Sequence, residues 1–132
     1  MSLVLKATTA AQLMNAGPVS IADTATVPEA SAFLTERGFG AAVVINTAGH
    51  AIGVVTKTDI LLHARHHGAT PADTTPVKAI MTPAVYSVRP DTLARSVVEQ
   101  LLALGVHHLF VTDAAGVVIG VISPVDVLRK LG

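Results

Sequence analysis

Two four-residue constellations carry the chemistry this chain has to offer: Thr56-x-x-Asp59 and, 67 positions on, Ser123-x-x-Asp126. A hydroxyl at a helix start can hold a phosphate together with the free N–H groups of the first turn, and a carboxylate one turn along can accept two hydrogen bonds from a ribose diol. The same spacing is also that of a capping box, in which hydroxyl and carboxylate only satisfy orphan helix N–H groups and favour negative charge at the helix start. The four residues by themselves leave both readings open.

The motif sits in a longer repeat. Gly53-Val54-Val55-Thr56-Lys57-Thr58-Asp59 returns as Gly120-Val121-Ile122-Ser123-Pro124-Val125-Asp126. At the same offset Gly38 matches Gly105, Asn46 matches Asp113, Gly49 matches Gly116 and Ile52 matches Ile119; Met14 and Met81 open the two copies, and one single-residue slip suffices to align them. A duplicated half of this size implies two similar units with equivalent pockets, a geometry that suits binding more than one asymmetric catalytic cleft.

The elements that must position these residues follow the same order twice. Each half begins with a short helical turn, Thr9 to Met14 and Thr75 to Met81. Thr9 with Gln12 has capping-box spacing, and Thr75 before Pro76 reads as a cap with proline at the first helical position. Short extended pieces follow at Val19-Ser20-Ile21 and Val85 to Val88. An amphipathic helix comes next. In the first half it starts at the Thr26-Val27-Pro28-Glu29 box and ends at Gly38. In the second it starts at Asp91 or Thr92, buries Leu93, Val97, Leu101 and Leu104, and ends at Gly105. Two apolar, β-branched runs around Asn46 to Gly49 and Asp113 to Gly116 read as hairpins with both sheet faces covered. A last helix begins at Thr56 or Ser123. The order per half is strand, helix, strand, strand, helix, with residues 8–67 and 76–131 as the repeats and 68–75 as linker.

Composition narrows the function classes. The chain is 132 residues, 51% apolar but 3% aromatic, so its core is aliphatic. Nine basic residues balance nine acidic ones, which excludes the basic field of a nucleic-acid binder. With no cysteine, thiolate chemistry, disulfides and cysteine zinc sites are excluded. The apolar runs are strand-sized and Lys6 is followed by no signal-peptide core, so a cytoplasmic location without a membrane span is expected. Whether Met1-Ser2-Leu3 is native does not follow from the sequence. His63, His66 and His67 have the helical spacing of a zinc or nickel pair, but a helix C-terminus attracts histidine for its dipole alone. No nucleophile elbow, P-loop or zinc-protease signature is present, and no enzyme activity is expected.

Taken in order and twice over, Leu13-Met14 and Ile80-Met81, the Gly-x-x-x-aliphatic-x-Val-x-Asn/Asp stretch and the closing Gly-x-x-Thr/Ser-x-x-Asp resemble a tandem pair of cystathionine β-synthase (CBS) domains, a Bateman module, over about residues 8 to 131. The resemblance implies an α/β (α+β) fold of two β-α-β-β-α repeats packed sheet to sheet about a pseudo-twofold axis. It implies a regulatory module, commonly a homodimer, binding AMP, ADP, ATP or S-adenosylmethionine in clefts between the repeats, with no cofactor required and a regulated protein as partner. Carried over by position, one cleft would use Thr56, Lys57 and Asp59 with Val85, Val106, His107, His108 and Leu109. The other would use Ser123 and Asp126 with Val19, Phe39, Gly40 and Ala41. The first would be the better phosphate site because His107-His108 stands where the other cleft has Gly40-Ala41, and imidazolium would strengthen binding toward pH 6. The family commonly has proline where this chain has Val43 and Phe110; Phe110 either fills the core or stacks on a base. A ligand-free dimerisation module and a histidine-based metal regulator are the alternatives.

Overall fold

In a computed structural model of the chain, residues 4–17 and 19–132 are described; Met1-Ser2-Leu3 lies outside them. The element order is α1 (Ala10–Leu13), β1 (Asn15–Ala16), β2 (Ser20–Ala22), α2 (Val27–Arg37), β3 (Ala41–Ile45), β4 (Ala51–Thr56) and α3 (Lys57–His67). A 3₁₀ turn (Val77–Ala79) leads on to β5 (Ser87–Val88), α4 (Ala94–Leu104), β6 (Leu109–Thr112), β7 (Val118–Ile122) and α5 (Pro124–Leu128). The fold is mixed α and β and the two repeats are evident in it.

The chain divides into two compact units, and each mixes segments of both repeats. One joins the described residues up to Val19 to Tyr86–Gly132 and holds Asp126; the other is Ser20–Val85 and holds Asp59. The Asp59 unit has a sheet in the order β2-β3-β4, β2 parallel and β4 antiparallel to β3. The Asp126 unit has the order β1-β7-β6-β5, so the opening strand of the chain is paired with its last. Both hairpins turn on the residue the repeat marks. Asn46 Oδ1 accepts from the N–H groups of Ala48 and His50, and Asp113 Oδ1 from those of Ala115 and Val117.

Burial follows the apolar patterning. Ala41 to Val44 of β3 and Leu109 to Val111 of β6 are at most 1% exposed, as expected for strands covered on both faces. Ala30 and Leu34 of α2 pack with Ala42, Val44, Val55 and Val77 in one core. Ala94, Val97 and Leu101 of α4 pack with Leu109, Val111 and Ile122 in the other. Phe110 is 1% exposed and faces Val121 across the β6–β7 ladder, the place of a core aromatic.

The starts of α1, the 3₁₀ turn and α4 depart from expectation for a common reason. Thr9 makes no side-chain cap and Gln12 Oε1 instead takes the N–H of Thr8, because Ala10 N already donates to Thr92 O. Thr75 is not a cap either: Val77 N donates to Ala25 O, while Thr75 O accepts from Val27 N. Reciprocal backbone bonds between segments, Thr8 and Ala10 with Thr92 and Ala94, then Ala25 and Val27 with Thr75 and Val77, do the work assigned to hydroxyls. Helix α4 correspondingly starts at Ala94 after an extended Leu93, which is 44% exposed, and Leu104 at its last turn is 45% exposed; neither belongs to the buried face. The Thr26–Glu29 box is present as expected, as are left-handed Gly38 and Gly105 at the C-caps.

The repeated Met and Gly explain each other. A Cβ on Gly53 would lie 2.6 Å from Met81 Sδ and 2.6 Å from Thr82 O. One on Gly120 would lie 2.6 Å from Met14 Sδ and 3.0 Å from Asn15 O. In each unit the segment after the methionine crosses the second hairpin strand so closely that only glycine fits beneath it. Thr82 exchanges backbone bonds with Val54, and Asn15 pairs with Val121. Gly53→Ala, whose clash includes an immobile carbonyl, should therefore lose about 1–3 kcal/mol, the usual range for overpacking. Gly120→Ala should lose less, since a methionine sulfur can move aside. Urea unfolding of the two variants checks the order.

Candidate functional site

Each motif sits at a strand-to-helix junction, β4 into α3 and β7 into α5. In the Asp59 unit, Thr56 is extended (φ −115°, ψ 163°) and Asp59 is the third helical residue. Asp59 Oδ2 accepts from Thr56 N at 2.8 Å and Thr56 Oγ1 at 3.0 Å, while Asp59 N donates back to Thr56 Oγ1 at 3.1 Å. The carboxylate is thereby fixed in direction, half-buried, with Oδ1 unengaged by any hydrogen bond among the described residues.

The Asp126 unit repeats the fixing but not the openness. Asp126 Oδ2 accepts from Ser123 N at 2.7 Å and Ser123 Oγ at 2.9 Å. Its Oδ1 accepts from Asn15 Nδ2 at 2.8 Å and Arg129 Nη1 at 3.1 Å, and the residue is 5% exposed. Neither Asn15 nor Arg129 figures in the sequence-based site. The i, i+3 spacing of Asp126 and Arg129 was visible in the sequence as a helical ion pair; Asn15 carried no signal, lying 111 positions away.

Within each unit the motif is flanked by the strand end of its own repeat. Ala41 is the register partner of Thr56, and Gly40 O accepts from Lys57 N at 3.1 Å. Leu109 is the register partner of Ile122, which places His108 at the strand end beside Ser123. The resemblance allots Gly40 and Ala41 to the Asp126 cleft and His107, His108 and Leu109 to the Asp59 cleft. Within each unit the backbone pairing sets Gly40 and Ala41 beside Thr56, and His108 and Leu109 beside Ser123. His107 is exposed and His108 half-buried, and both precede β6, which begins at Leu109. Lys57, exposed on the first turn of α3, is the cation nearest in sequence to Asp59. Val19 is fully buried in the Asp126 unit, Val106 half-buried there, and Phe39 and Val85 half-buried in the other.

The histidine run contacts the linker and stacks on itself. His63 is 8% exposed, its Nε2 lies 2.6 Å from Asp73 Oδ2, and its ring stacks on His67 at 4.6 Å between centroids. Among the described residues no group of three or more histidine, aspartate or glutamate side chains is placed to hold a metal ion. The pair ties the linker to α3 beside a cavity of about 590 Å³ lined by α2, α3 and the linker, including Val27, Ser31, Ile60 and Thr70. Neither Thr56 nor Asp59 lines that cavity.

Hydrogen bonds from Thr75, by side chain and then backbone, and a further one from His63 lower the Asp73 carboxyl from 3.8 to about 2. A carboxyl whose folded value is depressed adds stability above its unfolded value and loses it as pH falls. The linker's attachment should therefore weaken between about pH 4 and pH 2. Urea midpoints measured across that range should fall more steeply for the parent chain than for Asp73→Asn.

The comparisons agree with this architecture. The CBS domain family matches residues 10–66 and 77–132, and the chain belongs to that family. It is 27% identical over 106 residues to an uncharacterised protein of Methanopyrus kandleri, a match covering 80% of this chain and 54% of that one. The chain thus spans about half the length of that relative. Among solved structures it resembles protein MJ1004 of Methanocaldococcus jannaschii (TM-score 0.77, 26% identity, 92% of this chain and 58% of that one). It also resembles the CBS domain pair of protein MJ0100, crystallised with 5′-methylthioadenosine and S-adenosyl-L-methionine (TM-score 0.79, 18% identity, 92% of this chain and 98% of that one). Among the described residues no helix is long and apolar enough to cross a membrane.

Proposed function

We propose that this CBS pair is a regulatory module that binds an adenosine compound, AMP, ADP, ATP or S-adenosylmethionine, and acts on a protein partner. The observation that carries the reading is Asp59: a carboxylate held in place through Oδ2 by two bonds of 2.8 and 3.0 Å, with Oδ1 left to accept. That is the arrangement a ribose diol requires, since a pre-oriented acceptor binds without first losing rotamer freedom. The ligands of the MJ0100 pair support the choice of chemistry.

The better site in this reading is built on Thr56, Lys57 and Asp59 and the poorer on Ser123 and Asp126; Val19, Phe39, Gly40, Ala41, Val85, Val106, His107, His108 and Leu109 complete the set. The repeats 8–67 and 76–131 are joined by the linker 68–75, and the module acts in the cytoplasm. A ligand acts on it by its differential affinity for two states.

Self-association is part of the proposal. Leu61 (68% exposed), Leu102 (79%) and Leu128 (63%) leave apolar surface on helices of both units, which a second copy of the chain would cover. Sedimentation velocity should give a dimer.

Isothermal titration with AMP, ATP and S-adenosylmethionine tests the ligand. Asp59→Ala should abolish binding while losing about 1 kcal/mol of stability, the ordinary value of a cap. Unchanged affinity in that variant would refute the ribose role.

A further inference from the structure

We propose that Asn15 and Arg129 decide which of the two motifs is open to ligand. They fill the acceptor positions of Asp126 from within the protein, making it a latch for the N-terminal segment and leaving Asp59 as the ligand's carboxylate. This rests on the adenosine-binding reading above and deepens it.

An ionised carboxylate offers about four lone-pair positions. On Asp126 four protein donors use them: Ser123 N and Oγ on Oδ2, Asn15 Nδ2 and Arg129 Nη1 on Oδ1. A ribose diol needs two of these, and both would have to be taken from the protein. On Asp59 the first two bonds recur and the second two do not.

The difference lies in two substitutions between the repeats. At the 67-residue offset Asn15 corresponds to Thr82 and Arg129 to Leu62. Leucine has no donor. Thr82 holds its place through backbone bonds with Val54, at 2.8 Å in each direction, and makes no side-chain bond to Asp59. Two ordinary surface positions therefore convert a shared motif into one open and one self-satisfied carboxylate.

The latch also has something to hold. The segment ending at Asn15 runs along the C-terminus: Val4 and Gly132 exchange backbone bonds at 3.0 Å, and Lys6 N donates to Lys130 O. Beyond Asn15, Gly17 N donates to Ile119 O. Asn15 Nδ2 is the side-chain link from this strap to the motif.

Titration with AMP tests the assignment. The parent chain should bind one AMP per chain, and Asn15→Ala/Arg129→Leu should bind two, the second event appearing as Asp126 is released. If the double variant fails to fold, the single variants replace it and are read in the same way. Two AMP on the parent chain, or one on every variant, would overturn the inference. If AMP binds to no form, the adenosine reading fails instead, and amide exchange without ligand still judges the latch. Asn15→Ala should then lose protection at the Lys6 and Gly17 amides by tenfold or more, and unchanged protection would overturn it.

Discussion

The turn from strand into helix, closed by a carboxylate that reaches back three residues, is the constraint on which both units depend. In each, the acid accepts from the N–H and the hydroxyl of the capping residue, at 2.8 and 3.0 Å for Asp59 and 2.7 and 2.9 Å for Asp126. Those bonds fix where the helix begins, and so where the last hairpin strand ends. The strand in turn must carry glycine three positions before the cap, because the methionine segment crosses it there. One local interaction thus fixes the spacing of Gly, Thr or Ser, and Asp, and explains why these residue types recur together in both halves. Capping leaves an acceptor over: Asp59 caps through Oδ2, and its Oδ1 takes no hydrogen bond among the described residues.

Much of this was legible in the sequence because the signals are local. The hairpins follow from β-branched runs around Asn46 and Asp113, and the C-caps from Gly38 and Gly105. The capping box at Thr26 follows from its spacing. What escaped was set by partners far along the chain. Thr9 and Thr75 have cap chemistry, but their helices take backbone carbonyls of Thr92 and Ala25 instead. Leu93 and Leu104 fit the helical period but lie at the ends of α4, where the core no longer reaches. The bond from His63 to Asp73, ten positions on, likewise carried no local signal.

Duplication lets one chain serve as its own control. Two motifs of the same Thr/Ser-x-x-Asp pattern, on strand-to-helix junctions closed by the same bonds, differ in what approaches the acid from outside the motif. The magnitudes rank the two donors on Asp126. The Arg129 side chain is 66% exposed, and an exposed ion pair of this kind contributes about 0–1 kcal/mol. The Asn15 amide is the other, and leaving a buried carboxylate short of such a bond costs about 1–3 kcal/mol or more. Asn15 therefore carries most of the difference between the motifs. It does so from a segment that belongs to the first repeat in sequence and to the sheet of the second in space. Any ligand competing for Asp126 must act first on that strap, so in this unit binding and the attachment of the N-terminal segment draw on the same acceptor atom.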